Sequence, residues 1–380
     1  VTDHDAIIFG ESYTGDIHGE LEGPTTLLQA ADLIDDDRRW VGGRATLVQL
    51  GDVLDRGADA LAAVDLLTRL QKQAAAAGGE VVVLLGNHEQ MNLLGIYDDV
   101  PAAALEALVD ERSPARRRRA YKAQVRSERS LHADGDPEPE PGSSEHRREW
   151  MSEHPLGWVE YHSAMGPDGA YGAWIRERPV AVVRGGVLFL HAGLSDAWKE
   201  RSLEAITQQH REAFQGFDRV RHVLVSRRLA PPTATYAEIG EVLGDLMARL
   251  EAAAHPETGR YAPPPPLNAA LLASLLQDFA SARETLAEDA PLWFRGYALW
   301  QPDELRPLIE RTLATHDAER VAVGHTPLSQ PFIHSRLDDR VFLVDTGMPG
   351  DRDLGLTFGC LFRRLLPAPP QDKGVTPLEA

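Results

Sequence analysis

Two short apolar runs, each ending in a glycine and polar side chains, constrain the fold of this chain most strongly. TLVQL at 46–50 leads into GDVLDRG, and VVVLL at 81–85 leads into GNHE. Between them, LAAVDLLTRLQKQAAAAGG has the apolar spacing of a helix that ends on glycines. A strand, a helix and a second strand in this order predict a βαβ unit.

The same pattern occurs once more, nearer the start of the chain. Asp16 lies in GDIHG, Asp52 in GDVLDRG and Asn87 in GNHE, so the steps are 36 positions (52 minus 16) and 35 positions (87 minus 52). Each step is close to the length of a βαβ unit, roughly 30 residues or more. Ligands bind at the carboxyl edge of such sheets, so we expect these polar residues to meet there.

Further strands are predicted in the second half of the chain. PVAVVRGGVLFLHAG at 179–193 indicates two strands around an Arg-Gly-Gly turn, and RVAVGHT and RVFLVDTG indicate two more. His191 and His325 follow two of these strands directly. The fold class is therefore α/β with mixed parallel and antiparallel strands.

Two segments interrupt this core. Residues 101–154 combine a helical pattern, the basic run ARRRRA and the loop-like ADGDPEPEPGSS, and residues 196–290 are mainly helical. We interpret both as inserts in a single domain that covers residues 1–365. Residues 366–380 have little apolar surface to bury and are predicted to be a disordered tail.

Composition limits the partners and the kind of metal site. The 58 acidic and 39 basic side chains give a formal charge of -19, which repels a phosphate backbone, so no nucleic-acid partner is expected. Cys360 is the single cysteine, which leaves nitrogen and oxygen ligands for any metal. No apolar run approaches the roughly 18 to 20 residues that span a bilayer, so we expect a soluble protein without membrane contact. Whether it is periplasmic or cytoplasmic is not readable from the sequence.

The polar residues at the strand ends have the chemistry of a metal site. Carboxylate oxygens combined with imidazole nitrogens suit Mn, Fe, Zn or Mg, and a carboxylate in the middle of the set, Asp52, can bridge two ions. Two ions about 3.5 to 4 Å apart can clamp an in-line displacement at phosphorus and generate a hydroxide near neutral pH. The chemistry implied is phosphoester hydrolysis.

Five motifs in order carry a family resemblance. GDIHG, GDVLDRG, GNHE, HAGL and GHT resemble the calcineurin-like metallophosphoesterases, in the phosphoprotein phosphatase branch. GNHEQMNLLG, WIRERPVAVVRGGVLFLHAGL and PLWFRGY are similar to the Shewanella-like protein phosphatases. The resemblance implies a four-layer α/β/β/α sandwich with mixed sheets, in which the helical insertions form a cap.

The resemblance also implies a role for each site residue. Two divalent or trivalent ions, Mn, Fe or Zn, would be held by Asp16, His18 and Asp52 on one side and by Asp52, Asn87, His191 and His325 on the other. The catalytic pair would be His88, the general acid, and Asp55, which orients its imidazole. The phosphate would be gripped by Arg56, Asn87 and Arg295, the arginines through planar guanidinium groups.

Three functions remain open at this stage. The first is a metal-dependent phosphomonoesterase that acts on a phosphorylated protein or a small phosphomonoester, with a tilt towards phosphotyrosine. The second is a dinucleoside polyphosphate hydrolase, a family that shares the GDxHG, GDxxDRG and HAG-type motifs but usually has GNHD where this chain has GNHE. The third is an inactive metal-bound scaffold, although every proposed ligand and the acid are present.

One stretch departs from the family pattern. The strand before GDIHG is usually a clean apolar run, but here it reads IIFGESYTGDIHG, with Glu11, Ser12 and Tyr13 in its last positions. We therefore expect a bulge or an offset there, or a short first strand.

Overall fold

The computed structural model describes residues 6–12, 17–131, 139–254, 267–327, 333–345 and 359–362, the first and last of these as strand backbone only. Asp16 and the predicted tail at 366–380 lie outside the described residues, as does the first half of the ADGDPEPEPGSS loop.

The strands are short and lie in two sheets. In chain order they are β1 (Ala6–Ser12), β2 (Thr46–Gln49), β3 (Glu80–Val83), β4 (Ala181–Arg184), β5 (Val187–Leu190), β6 (Arg320–Val323), β7 (His334–Arg336), β8 (Val341–Leu343) and β9 (Gly359–Phe362). The helices of the first half are α1 (Glu22–Ala30), α2 (Ala60–Ala77), α3 (Asn87–Leu94), α4 (Ala102–Glu106), α5 (Ser113–Leu131), α6 (Ser144–Glu153), α7 (Trp158–Met165) and α8 (Ala170–Arg176). Those of the second half are α9 (Leu203–Ser226), α10 (Tyr236–Ala254), α11 (Ala269–Glu284), α12 (Gly296–Leu299) and α13 (Pro302–Thr315).

The first sheet has the order β3-β2-β1-β9. Strands β1, β2 and β3 are parallel, with Ala6 opposite Thr46 and Thr46 opposite Glu80, whereas β9 is antiparallel to β1. The βαβ unit predicted from the sequence is therefore confirmed, with α2 ending on Gly78 in the left-handed conformation. The register between β1 and β9 shifts between Gly10 and Ser12, which is the bulge expected before GDIHG.

The second sheet has the order β4-β5-β6-β8-β7. Strands β4 and β5 form the predicted hairpin, whose Gly185 and Gly186 have φ angles of +56° and +77°. The tight two-residue turn requires these positive angles, and glycine adopts them without strain. Strands β5, β6 and β8 are parallel, so the residues that follow them lie at one edge.

The two sheets stack on a buried apolar layer. The side chains in this layer are Val48, Leu50, Val82 and Leu84 from the first sheet and Val187, Phe189, Ala322, Phe342 and Val344 from the second. Alternate residues of a strand face opposite sides, so Leu47 and Val81 belong instead to the larger core that includes α2. Strands buried on both faces explain why the apolar runs are continuous rather than alternating.

Both inserts are helical where the structure describes them. Helix α9 packs along α11, where Arg219 forms an ion pair with Asp278. Helix α3, which begins within GNHE, contacts α8 and α9. Among the helices of the described ranges, none is long and apolar enough to cross a bilayer.

Candidate metal centre

The loops that follow the parallel strands are joined by backbone hydrogen bonds. The N–H of His18 donates to the Asp52 carbonyl at 2.9 Å, and the N–H of Gly19 donates to the Val53 carbonyl at 3.0 Å. A Cβ atom on Gly86 would lie 2.2 Å from Asp52 Oδ1 and 2.3 Å from Asp52 N. The glycine that begins GNHE is therefore needed for close approach of the two loops.

Several site residues have strained backbones. The φ angles of His18, Asp52, Asp55, Arg56 and His325 are positive, at 43°, 53°, 71°, 63° and 66°. Such left-handed conformations are uncommon for residues other than glycine, and they concentrate at functional sites. Their concentration at the ends of neighbouring strands marks this edge of the sheets as the functional one.

Asp52 lies at the centre of the site. Its side chain is almost fully buried, and Oδ2 lies 3.4 Å from His191 Nε2 and 3.9 Å from His18 Nε2. Burial alone would raise the pKa of Asp52, but the imidazoles of His191, His88 and His18 hold it well below its usual range. A buried carboxylate that stays ionised among imidazoles has the chemistry of a metal ligand.

Main-chain carbonyls orient two of the imidazoles. His18 Nδ1 lies 3.2 Å from the Leu54 oxygen, and His191 Nδ1 lies 3.0 Å from the Leu50 oxygen. A carbonyl only accepts, so in each ring Nδ1 carries a proton and Nε2 is the nitrogen left to bind a cation. Both Nε2 atoms lie within 4 Å of Asp52 Oδ2, in the arrangement that metal-binding histidines have.

A second group of possible metal ligands, from Asn87, His191 and His325, lies close together beside Asp52. His191 Nε2 lies 2.9 Å from Asn87 Oδ1 and 3.2 Å from His325 Nδ1. Burial, with the charge of His191 and of Arg295, lowers the pKa of His325 to about 2, so this imidazole is neutral. A cation that binds both His191 Nε2 and the Asn87 oxygen would displace the Nε2 proton and remove the repulsion between the two lone pairs.

The residues present therefore fit bound cations. Two sets of nitrogen and oxygen atoms each lie within 4.8 Å of one another, and they share Asp52: one contains His18 and His88, the other His191 and His325. Asp16, predicted to complete the first set, lies outside the described residues. The assignment of Asp16 as a ligand, and of His88 as a proton donor rather than a ligand, stays a prediction.

His88 and Asp55 form a buried pair. His88 Nδ1 lies 2.8 Å from Asp55 Oδ2, and the ring turns Nε2 towards the Arg56 guanidinium at 3.2 Å. Burial alone would lower the pKa of His88, but the carboxylates of Asp52 and Asp55 outweigh it and raise this pKa to about 9. His88 Nδ1–H is thus held by Asp55, and Nε2, which here accepts from Arg56, would carry a proton for a bound group once Arg56 binds that group instead.

Two arginines border the same cavity. Arg56 NH1 donates to His18 Nε2 at 2.9 Å, and Arg295 NH1 donates to the His325 carbonyl at 2.8 Å. The cavity has a volume of about 350 Å³. Its lining residues are His18, Asp52, Arg56, Asn87, His88, Met91, Asp99, Trp293, Arg295, His325, Pro327 and Asp345. Of the predicted site residues that the structure describes, all but Asp55 and His191 line this one cavity.

Sequence reasoning assigned no site role to five lining residues, which are Met91, Asp99, Trp293, Pro327 and Asp345. Asp99 Oδ2 lies 3.8 Å from His88 Nδ1 and 3.9 Å from Arg56 NH2. Its only signal was its position shortly after GNHE, whereas Trp293 stands in the PLWFRGY stretch beside Arg295.

Glu89 supports the metal-binding loops without lining the cavity. Its carboxylate accepts N–H groups from Asp52 at 2.7 Å, Val53 at 2.9 Å, Leu54 at 3.0 Å and Gly86 at 3.0 Å. Because the amides of Asp52, Val53 and Leu54 belong to the loop that carries Asp52, Glu89 positions a candidate metal ligand.

Known proteins are similar to this chain in sequence and in fold. The profile of the calcineurin-like phosphoesterase family matches residues 13–226. Shewanella-like protein phosphatase 2 of Arabidopsis thaliana is 44% identical over 92 residues, which are 24% of this chain and 24% of that protein. Shewanella-like protein phosphatase 1 of Plasmodium berghei is 23% identical over 338 residues, 88% of this chain and 66% of that protein. The matches thus span about a quarter and about two thirds of these relatives.

A solved structure shows the same architecture. A cold-active protein tyrosine phosphatase superposes with a TM-score of 0.50 at 20% identity, over 90% of this chain and 71% of that chain. At this identity the likeness shows the fold alone. The family profile covers more than half of the residues, including the loops that carry His18, Asp52, Asn87 and His191. This chain therefore belongs to the calcineurin-like phosphoesterase family.

Proposed function

We propose that this protein is a metal-dependent phosphomonoesterase of the protein-phosphatase type. The observation that carries the proposal is the meeting of two donor sets at Asp52, beside the His88–Asp55 pair and two arginines, around a single cavity. When bound, two divalent or trivalent ions would supply Lewis acidity and activate water for in-line attack on phosphorus. Manganese, iron and zinc all suit the donors.

The side chains of the cavity would bind and orient the phosphate. The guanidinium groups of Arg56 and Arg295 can each donate two parallel hydrogen bonds to phosphate oxygens. The Asn87 amide adds a neutral contact on the metal side of the cavity. The two guanidinium groups thereby place positive charge at the cavity of a chain whose formal charge is -19.

His88 would protonate the leaving oxygen as its bond to phosphorus breaks. Its Nδ1–H is held by Asp55, so Nε2 faces the cavity and would carry the proton for the leaving oxygen once Arg56 turns from Nε2 to the phosphate. This contribution matters most for an alkyl ester, because an alkoxide is a poor leaving group without a proton.

The apolar residues that line the cavity favour an aryl phosphate. They are Met91, Trp293 and Pro327. The indole of Trp293 is fixed by a hydrogen bond from Nε1 to Gln90 Oε1 at 2.8 Å. An indole in a fixed orientation can pack against a tyrosine ring, so we propose phosphotyrosine as the preferred side chain.

The inserts are proposed to affect this choice from outside the cavity. None of the described residues of 101–154 or 196–290 lines it. The second insert reaches helix α3 through Thr285, which accepts from Gln90 Nε2 through its hydroxyl at 2.6 Å and its carbonyl at 3.0 Å. The inserts would form a cap on a single domain of residues 1–365. This cap would influence the choice of substrate through the contact of Gln90 with Trp293.

A panel of four substrates tests the function. Protein reconstituted with manganese should hydrolyse p-nitrophenyl phosphate and a phosphotyrosine peptide fastest, a phosphoserine peptide more slowly and diadenosine tetraphosphate least. Fastest turnover of diadenosine tetraphosphate would instead assign the dinucleoside polyphosphate hydrolase activity. A folded, metal-loaded protein that turns over none of the four would be an inactive scaffold.

A further inference from the structure

The Asp55 carboxylate that holds His88 is itself held by a buried asparagine of helix α3. Asn92 Nδ2 donates to both carboxylate oxygens of Asp55 at 2.9 Å and to the His88 carbonyl at 2.9 Å. Asn92 and Asp55 are at most 1% exposed, so water does not compete for these groups. The carboxylate and the carbonyl only accept, so the amide nitrogen faces them and Asn92 Oδ1 points the other way.

That amide oxygen meets a hydroxyl group from a different helix. Tyr161 of α7 donates its O–H to Asn92 Oδ1 at 2.7 Å, and the tyrosine ring is fully buried. The ring packs edge-on against Tyr97, with centroids 5.6 Å apart. A continuous hydrogen-bond chain therefore runs from Tyr161 through Asn92 and Asp55 to the imidazole of His88.

We propose that Asn92 and Tyr161 are positioning residues of the phosphatase reaction, which fix the Asp55 carboxylate so that His88 presents Nε2–H to the leaving oxygen. This inference rests on the proposed role of His88 as the proton donor. Both oxygens of Asp55 are engaged by the Asn92 amide, so the carboxylate cannot rotate freely. A small misplacement of a catalytic group costs on the order of 100-fold in rate.

The first experiment compares two leaving groups in Asn92→Leu and Tyr161→Phe. We expect kcat for a phosphoserine peptide to fall roughly 10- to 100-fold in Asn92→Leu and less in Tyr161→Phe, because the alkoxide needs a proton. The kcat for p-nitrophenyl phosphate should fall less than about 3-fold, since nitrophenolate leaves without one. KM and bound metal should stay unchanged in both variants.

The matched control is Tyr97→Phe, which removes a hydroxyl from the ring that packs against Tyr161. It should leave the ratio of the two kcat values as in the wild type. Asn92→Leu buries an altered side chain, so thermal melts and metal content are measured for each variant. Tyr161→Phe keeps the buried ring and removes only the hydroxyl group, so it tests the hydrogen-bond chain even if Asn92→Leu does not fold.

The second experiment repeats Asn92→Leu and Tyr161→Phe in the His88→Asn background. If the two residues act through His88, neither change should lower kcat further there, because its target is already gone. A further loss of the original size would overturn the proposal.

The outcomes also separate this proposal from the proposed function. Equal loss on both substrates in His88→Asn would refute the proton-donor role of His88, and the positioning role with it. A split between substrates in His88→Asn, without one in Asn92→Leu or Tyr161→Phe, would overturn the positioning role alone.

Discussion

At the scale of single residues, the length of the Glu89 side chain is what joins two loops. From the first turn of α3 its carboxylate reaches amides of the Asp52 loop and the Gly86 amide that precedes the helix. An aspartate at this position is one methylene shorter and could not reach both loops from the same backbone. The GNHE form of the motif thus suits the spacing of these loops, because one carboxylate satisfies amides on both sides.

Substituting Gly86 tests how closely the two loops must approach. Its φ angle of -100° suits any residue, so the effect of Gly86→Ala is steric: the new Cβ would meet Asp52 Oδ1 and N. We expect weaker metal binding and a loss of activity of about 100-fold, because Asp52 must move. Metal titration and kcat measure both effects.

The matched control is Gly244→Ala in helix α10, where a Cβ would meet nothing within 4 Å. That variant should keep full activity and gain up to about 1 kcal/mol of helix stability. Wild-type metal affinity in Gly86→Ala would contradict the account of the loop contact.

At the scale of elements, the contact between α3 and the end of the second insert is proposed to favour an aryl substrate. Trp293→Ala should raise KM for a phosphotyrosine peptide roughly 2- to 10-fold, since a ring contact is worth about 0.5 to 1.5 kcal/mol. KM for a phosphoserine peptide should change little. Trp293→Phe keeps a ring but loses the hydrogen-bond donor to Gln90. Its KM for the phosphotyrosine peptide should lie between those of the wild type and Trp293→Ala.

Steady-state kinetics with the two peptides provide the comparison. Equal increases of KM for both peptides would mean that Trp293 does not contact the side chain of the substrate.

Helix α9 carries a histidine that should make stability depend on pH. His210 is buried beside Trp198 and Phe214, and burial lowers its pKa to about 4, with the Ile206 carbonyl opposing. In the unfolded chain its pKa is about 6.5, so between about pH 6.5 and 4 the unfolded state binds the extra proton. The free energy of unfolding is therefore unaffected by His210 above about pH 6.5. As pH falls towards 4, the protonation of His210 in the unfolded chain lowers this free energy by up to about 3 kcal/mol.

Urea unfolding at pH 7, 6 and 5 measures this loss. His210→Gln should show a shallower fall of the free energy of unfolding than the wild type. His222→Gln, at an exposed position of the same helix, should show the wild-type slope. An unchanged slope in His210→Gln would assign the pH dependence to other groups.

How far the sequence predicts these elements depends on whether local pattern or tertiary contact decides them. The strands that precede Asp52, Asn87, His191 and His325 follow from continuous apolar runs with glycine ends, because burial on both faces leaves a clear pattern. The positive φ angle of Asp52 and the role of Asn92 could not be predicted in this way. Both arise from contacts between segments far apart in the chain, and neither has a local signal.

At the scale of the whole molecule, the candidate centre joins the two sheets. Asp52 and Asn87 follow strands of the first sheet, whereas His191 and His325 follow strands of the second. The sheets already meet there through the His191 Nδ1–H donated to the Leu50 carbonyl. Cations held by both sets would add bonds across this interface, so the proposed catalysis and the packing of the sandwich would depend on the same residues.

The metal content of the protein tests the central claim most directly. Chains stripped with a chelator, reloaded with manganese and desalted should hold two ions each by elemental analysis, because two donor sets share Asp52. Asp52→Asn, which removes the shared charge at nearly equal volume, should hold fewer than two and remain folded. Wild-type chains that retain at most one ion, or Asp52→Asn chains that retain two, would contradict a centre bridged by Asp52.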